Sequence, residues 1–308
     1  MTKPLKDYQS FDQIFCFFLL WCVILYITAV FAQESEFCPN PETPVWIPIF
    51  KGIEKTQSVS RQPRLQQVFA VRIDTKTNGI SFFSTPKIEE KSKPENQETV
   101  RQQTDEFLKE YRLQVAINAN FFSVPKGEKY SLPGTSNLQG LAVSEGSIIS
   151  PSNEQPSATF AVLKTGQVQL KNYSVSDNDL YDIQTAVTGN TFILHNGKIL
   201  PQTNNDVHPR TLCGLTQDNR YVIFVVIDGR RQDYSEGATY TESAQWLCYF
   251  GAWNGLNLDG GGSTTLVIRD ETGKPVVQNR PSDKTLRYNG NNIGVRALPL
   301  SRPFKQTP

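Results

Sequence analysis

His208-Pro209-Arg210-Thr211-Leu212-Cys213-Gly214-Leu215 and, five residues later, Tyr221-Val222-Ile223-Phe224-Val225-Val226-Ile227-Asp228-Gly229-Arg230-Arg231 read together as one hairpin. The return strand is apolar from 222 to 227 and then stops at a carboxylate and two guanidiniums. Such a run is a buried strand, and charged groups at its carboxyl end stand where clefts form. A solvated turn is the plainer alternative. Arginine has a particular use there, because its planar fork binds phosphate or carboxylate through two parallel hydrogen bonds.

Working outward, the same antiparallel logic recurs. Ser144-Glu145-Gly146-Ser147, Lys164-Thr165-Gly166-Gln167 and Asn196-Gly197 are turn formers between short apolar runs. Asn-Gly supplies the positive φ values that a two-residue hairpin requires. Val68-Phe69-Ala70-Val71-Arg72-Ile73 and Gly79-Ile80-Ser81-Phe82-Phe83 are expected to pair around residues 74–78, and residues 267–277 to form a hairpin before a closing strand at 293–297. Helical spacing appears twice. Val100, Thr104, Phe107, Leu108 and Tyr111 mark a helix over 97–111. Thr239-Tyr240-Thr241-Glu242 is a capping box opening a second, with Ala244, Leu247, Cys248 and Gly251 behind it and Asn254-Gly255 as its stop. The expected fold class is α+β, a largely antiparallel or mixed β-sheet with a few packing helices; no repeat of 20 to 50 residues is present.

Gly255-Leu256-Asn257-Leu258-Asp259-Gly260-Gly261-Gly262-Ser263-Thr264-Thr265-Leu266 carries the strongest chemical signal. Three glycines between apolar runs leave backbone N–H groups uncovered, a turn able to receive an anion. Asp259 adds an acceptor or base, and Ser263 and Thr264 add hydroxyls. A glycine-rich hairpin turn is the structural alternative. Gln114-Val115-Ala116-Ile117-Asn118-Ala119-Asn120-Phe121-Phe122 is a buried-type strand ending in two amides, which either face a cleft or bond local backbone. Glu242 either caps its helix or takes part in chemistry. A helix of roughly 20 Å between Glu242 and Asp259 lets them reach one pocket only from opposite ends.

The chain has 308 residues, and its 31 Lys and Arg nearly cancel its 30 Asp and Glu, so no global field calls for nucleic acid. Lys3 and Lys6 precede a run without charge at 14–30, with Val30 and Ala32 resembling a signal-peptidase site. Residues 1–32 are therefore expected to be a signal peptide or membrane anchor that exports the rest. Membrane contact is expected only through that segment. Residues 33–63 read as a proline-rich lead-in with no independent fold, 64–300 as the main domain and 301–308 as a tail. Cys16 and Cys22 lie in the apolar run; Cys38, Cys213 and Cys248 allow one disulfide at most, and buried thiols are the simpler reading. No ligand spacing calls for a metal, and no cofactor is expected.

Ile117-Asn118-Ala119-Asn120-Phe121-Phe122, His208-Pro209-Arg210-Thr211, Asp228-Gly229-Arg230, Thr241-Glu242-Ser243-Ala244, Leu258-Asp259-Gly260-Gly261-Gly262-Ser263-Thr264 and Arg280-Pro281-Ser282-Asp283, in that order, resemble the phosphodiester glycosidase family. The likeness runs from about residue 68 to 297. One departure is Thr188-Gly189-Asn190, where family members commonly carry a second glycine. The resemblance implies an exported hydrolase that cleaves the sugar C1–O bond of a glycosyl phosphodiester and leaves a phosphomonoester. It implies Asp259, Glu242 and Asp228 as carboxylate candidates, with the first two favoured for chemistry. Arg210 and Arg230 would bind phosphate, with Thr211 and the amides of Gly260, Gly261 and Gly262 assisting. Asn118, Asn120, His208, Gly229, Ser263, Thr264 and Asp283 complete the implied substrate contacts. A phosphodiesterase cutting P–O and a non-catalytic envelope glycan-binding module are the alternatives.

Overall fold

Tyr221–Ile227 forms the central strand expected of it, and burial on both faces explains why its sequence does not alternate. Ile223, Val225 and Ile227 face one helix, α2 (Tyr240–Tyr249), together with Ala244, Trp246 and Leu247. Val222, Phe224 and Val226 face the principal core, where the Phe224 ring meets Phe82 and Phe160 edge-on. Each side chain so buried contributes about 1.5–3 kcal/mol.

The computed structural model describes residues 43–89, 97–152, 157–174 and 178–300, all within the unit Cys38–Pro308. The apolar run at 14–30, Cys38 and the tail at 301–308 lie outside the described residues. Tyr221–Ile227 is one member of an eight-stranded sheet ordered Ile47–Phe50, Ile53–Ser60, Gln66–Asp74, Tyr221–Ile227, Arg210–Leu215, Asn254–Asn257, Thr191–His195, Lys198–Ile199. Its inner face packs on two five-stranded sheets. One is ordered Ser147–Ser150, Ala142–Ser144, Ile183–Thr188, Ser157–Leu163, Val168–Tyr173; the other Pro275–Val277, Leu266–Arg269, Val115–Asn118, Asn292–Arg296, Ser81–Ser84. A second helix in space but first in the chain, α1 (Thr104–Glu110), covers the outer face of the latter through Phe107 and Leu108. A three-stranded sheet, Thr99–Val100, Thr135–Leu138 and Phe122–Ser123, flanks it. Among the described residues no helix is long and apolar enough to cross a membrane.

Every strand pairing among the described residues is antiparallel, and the helices number two, so the protein is β-rich to a degree the α+β expectation understated. The hairpins at 145–146, 165–166, 196–197 and 216–220 form as read, with Asn196 and Gly197 at φ 51° and 73°. Four expectations are corrected. Gln66–Asp74 and Ser81–Ser84 are strands but do not pair with each other: the first lies between Ile53–Ser60 and Tyr221–Ile227, the second beside Asn292–Arg296. Residues 47–60, read as lead-in, are strands; their inward positions include Thr56, Ser58 and Ser60, polar side chains that hide the alternation. The helix expected over 97–111 starts only at Thr104, where Gln103 and Glu106 form a capping box; Val100 sits in a strand and is half exposed. Helix α2 stops at Phe250 and Gly251 (φ 94°), so Asn254-Gly255 belongs to the following strand.

That early stop matters for the site. Asn254–Asn257 runs antiparallel to Arg210–Leu215, with Asn257 opposite Leu212, and carries the chain back toward the start of α2. Arg210, Asp228, Asn118, Asn257 and Asn292 thereby gather at one end of the sheets, as the registers Arg210 to Ile227 and Asn118 to Asn292 require.

Candidate active site

Asp259 leaves the strand Asn254–Asn257 at this end, and the segment after it crosses from the large sheet to Leu266–Arg269 in a different sheet. The glycine turn is therefore a crossover and not a hairpin. Its entrance is clamped: the Asp259 N–H donates to the Ala119 carbonyl at 2.9 Å and its carbonyl accepts from Asn118 Nδ2 at 2.6 Å. Asn118 Oδ1 also accepts from Thr211 Oγ1 at 2.8 Å and the Thr265 N–H at 3.1 Å. One fully buried amide thus ties three strands to the turn. Asn120 acts alike: Nδ2 donates to the Gln139 and Leu141 carbonyls, and Oδ1 accepts from the Thr188 N–H and Asn291 Nδ2. Neither amide faces open space or bonds a local turn, and Thr211, spent on Asn118, holds the framework as well.

The three glycines answer to three close approaches. A Cβ on Gly260 would lie 2.6 Å from the Pro209 carbonyl oxygen, on Gly261 2.9 Å from Arg230 Nη2, and on Gly262 2.1 Å from Arg287 Nη2 and 2.2 Å from Asp283 Oδ2. Gly261 also has φ 62° and starts a 3-10 turn through Ser263. Side chains here would displace both guanidiniums.

Burial of the Asp259 carboxyl raises its pKa to about 6, against the opposing pull of the Ser263 hydrogen bond, the Arg287 charge and the Gly260 backbone. Arg287 is itself held by Asp283 Oδ2 through Nε at 3.1 Å and Nη2 at 2.8 Å, with Nη1 reaching Ser263 Oγ at 3.4 Å. Asp283 is thus an ion-pair partner of Arg287. The Thr264 hydroxyl is buried and makes no hydrogen bond among the described residues, while its carbonyl accepts from Asn279 Nδ2.

A second group of charges borders the first. Arg210 is 5% exposed yet forms no ion pair among the described residues. Its Nε donates to the Ala238 carbonyl at 2.8 Å, its Nη2 to the Asp206 carbonyl at 2.6 Å, and its guanidinium carbon lies 4.2 Å from the centre of the Tyr240 ring. Burial lowers its pKa. Arg230, in a left-handed conformation at φ 63°, is exposed and likewise has no ion pair among the described residues. Burial, and then the charges of Arg210 and Arg230, depress the pKa of His208, which favours its neutral form. Gly229 packs its backbone against Pro209 and Gly237, where a Cβ would clash at 2.8 and 2.9 Å.

The other two carboxylates are tied down. Glu242 Oε2 accepts from the Thr239 N–H at 2.9 Å, from Gln66 Nε2 at 3.1 Å and from Arg64 Nη1 at 3.3 Å, completing the capping box read from the sequence. It influences Arg210 and does not contribute to the Asp259 titration. Asp228, 1% exposed, accepts from Tyr234 Oη, Asn279 Nδ2 and the Arg280 N–H at 3.0, 2.8 and 2.8 Å. Burial raises its pKa, and these three bonds oppose the rise.

The sequence pattern of the phosphodiester glycosidase family matches residues 111–296, more than half of the 308-residue chain. The chain belongs to the phosphodiester glycosidase family. The fold is similar to that of the zebrafish N-acetylglucosamine-1-phosphodiester alpha-N-acetylglucosaminidase catalytic domain auto-inhibited by its pro-peptide. That likeness has a TM-score of 0.62 and 18% identity, over 82% of this chain and 88% of that one. A hypothetical protein from Synechocystis aligns with a TM-score of 0.55 and 16% identity over 84% of this chain and 64% of its own. A putative exported protein from Burkholderia pseudomallei K96243 aligns at 0.54 and 14% over 79% and 76%. No curated protein sequence matches the chain.

Sequence reading missed several groups that shape the site in this phosphodiester glycosidase family member. Arg287 sits in a polar loop like any solvated cation. Tyr240 looks like a helix-face aromatic, yet it lies under Arg210 and its hydroxyl accepts from Asn190 Nδ2 at 2.7 Å. Asn190 in turn accepts from Asn257 Nδ2, so the departure at Thr188-Gly189-Asn190 is built into the support of Arg210. Tyr234 and Asn279 are the donors that hold Asp228. Asp228→Ala should therefore take the acceptor from the partly buried Tyr234 hydroxyl and the Arg280 N–H, leave Asn279 Nδ2 with Thr264 alone and free the 279–280 segment, lowering stability by roughly 2–4 kcal/mol in chemical denaturation. A change below 1 kcal/mol would contradict that anchoring role.

Proposed function

We propose that the protein is an exported phosphodiester glycosidase that cleaves the bond between the anomeric carbon of a sugar and a phosphate oxygen, releasing sugar and a phosphomonoester. The observation that carries this reading is a pair of guanidiniums that form no ion pair among the described residues, buried Arg210 and exposed Arg230, both acting on His208, with Arg230 lying against the turn that presents Asp259. A buried cation without a counterion suits a site that takes an anion as ligand. Export is supported by the charge-free run at 14–30 behind two lysines.

In this mechanism Arg210, Arg230 and the backbone of Gly260, Gly261 and Gly262 hold the diester phosphate, and neutral His208 donates a hydrogen bond to it. The leaving group is a phosphomonoester, whose second pKa is about 6, so it departs without a general acid. One carboxylate suffices for the other face: Asp259 meets the oxocarbenium-like carbon as nucleophile or activates a water against it. Asn118 fixes its backbone, and Arg287 through Ser263 keeps it ionised within reach of neutral pH. Glu242 and Asp228 serve as the cap of α2 and the anchor of the 279–280 segment.

Hydrolysis in oxygen-18 water tests the reaction. Label in the released sugar is expected; label in the phosphate would establish P–O cleavage instead. Tight binding of several glycosyl phosphodiesters with no turnover would make the protein a glycan-binding module. The configuration of the fresh sugar assigns Asp259: retention marks the covalent route and inversion the activated water.

A further inference from the structure

We infer that the loop at 124–134 forms the sugar-binding wall of the site, with Tyr130 as the platform on which a pyranose ring stacks. This inference rests on the proposed glycosidase reading.

Tyr130 keeps 41% of its surface exposed, unusual for an aromatic so firmly placed. Its carbonyl accepts from the Tyr288 N–H at 3.1 Å, and its ring stands edge-on to the largely buried Phe122 at 5.3 Å. The Arg287 guanidinium lies 5.2 Å from the ring centre. That same guanidinium bonds Asp283 and Ser263 and bears on the Asp259 titration. Arg287 therefore links the two: it lies over the exposed Tyr130 ring and its charge acts on Asp259, so Tyr130 stands on the Arg287 side of the carboxylate.

The loop is anchored from below by a charge that catalysis does not use. Arg101 is 2% exposed; its Nη1 donates to the Lys129 carbonyl at 2.8 Å, its Nη2 pairs with Glu128, and its own N–H donates to the Gly134 carbonyl at 2.8 Å. Gly134 is needed for this, since a Cβ there would lie 2.2 Å from Arg101 Nη2. Turn bonds from Glu128 to Pro125 and from Leu132 to Lys129 stiffen the stretch between. A buried arginine spent on two loop carbonyls and a loop carboxylate holds Tyr130 at a fixed height.

The charges assign the ends of the substrate. Arg287 is already paired with Asp283, whereas Arg230 is not paired among the described residues, so the phosphate goes to Arg230 at Gly261. With the anomeric carbon at Asp259, the sugar ring extends past Gly262 toward Arg287 and Tyr130. A pyranose presents an apolar C–H face and hydroxyl edges, which match the exposed part of the Tyr130 ring and the Arg287 guanidinium lying over that ring.

The test measures kcat and KM for methyl esters of α- and β-hexopyranosyl phosphates, N-acetylglucosaminyl included, with the wild type, Tyr130→Phe and Tyr130→Ala. Stacking acts on ground state and transition state alike, so Tyr130→Ala should raise KM roughly five- to tenfold with kcat kept within about twofold, and Tyr130→Phe, which keeps the ring, should raise KM far less than Tyr130→Ala. Melting temperatures close to the wild type confirm that the exposed substitution leaves the fold intact. An unchanged KM in Tyr130→Ala, or a fall in kcat alone, would overturn the platform while leaving the glycosidase reading standing. Absence of wild-type turnover on every diester would remove the glycosidase reading, and this inference with it.

Discussion

Asp259→Asn is expected to abolish turnover and at the same time to make the protein harder to unfold at neutral pH. Both effects follow from one property, a carboxyl whose pKa burial raises to about 6. The unfolded chain releases that proton near pH 3.9, so the native state binds it more tightly. The resulting stability is fully present below about pH 4 and is lost as pH rises through 6. Above that, the folded protein holds an ionised carboxylate in a poorly solvated turn, at a cost of roughly 2–3 kcal/mol. Asparagine keeps the shape without the charge. Thermal melts should place the variant several degrees above the wild type at pH 7.5 and level with it near pH 4. Turnover should fall by about a thousandfold or more, since Glu242 and Asp228 are each held by three hydrogen bonds. For the wild type, kcat/KM should rise with pH through an acid limb near 6, because the ionised form reacts and the diester does not titrate there. Residual activity above a tenth of wild type, or a lower melting point at pH 7.5, would defeat the assignment.

The residues that the sequence made legible are those whose local pattern has one physical meaning. Asn196-Gly197 reads as a tight hairpin and Thr239 with Glu242 as a capping box, and both form, although Glu242 on its own also reads as a group for chemistry. The glycine triplet reads as a turn with uncovered amides, and the close approaches of Pro209, Arg230 and Arg287 that require glycine there are visible only in the fold. What stayed hidden depends on neighbours far along the chain. Asn118 was read as either a cleft group or a local turn group, yet its partners are at 211, 259 and 265. The end of α2 is another such case: Gly251 ends it, and Asn254-Gly255, which reads as a helix stop, opens the strand Asn254–Asn257 that pairs with Arg210–Leu215. Arg287 gave no signal, because an arginine in a polar loop is read as solvated until Gly262 and Ser263 are seen beneath it.

Arg210→Met carries the same opposition of stability and function into the phosphate end. The guanidinium is buried with no ion pair among the described residues, so the fold bears the desolvation of a cation that the charges of Asp206 and Glu242 offset only in part. Methionine fills similar apolar space above Tyr240 and removes that charge. The losses are two charge-assisted bonds and the ring contact, and one of the two acceptors, the Ala238 carbonyl, keeps its bond from the His208 N–H. These terms nearly cancel, and the unfolding free energy should stay within about 1 kcal/mol of wild type. Activity should not. A diester anion held in a partly desolvated site loses its nearest buried cation, and kcat/KM should fall roughly a hundred- to thousandfold. Arg230→Ala, at an exposed position, should cost less and its effect should shrink as salt rises, while the Arg210 effect should persist. Arg210→Lys should not rescue, because a single ammonium cannot hold the Ala238 and Asp206 carbonyls and still face the phosphate. A loss under fivefold in Arg210→Met with a well-folded protein would move the phosphate away from Arg210 and leave Arg230 as its clamp.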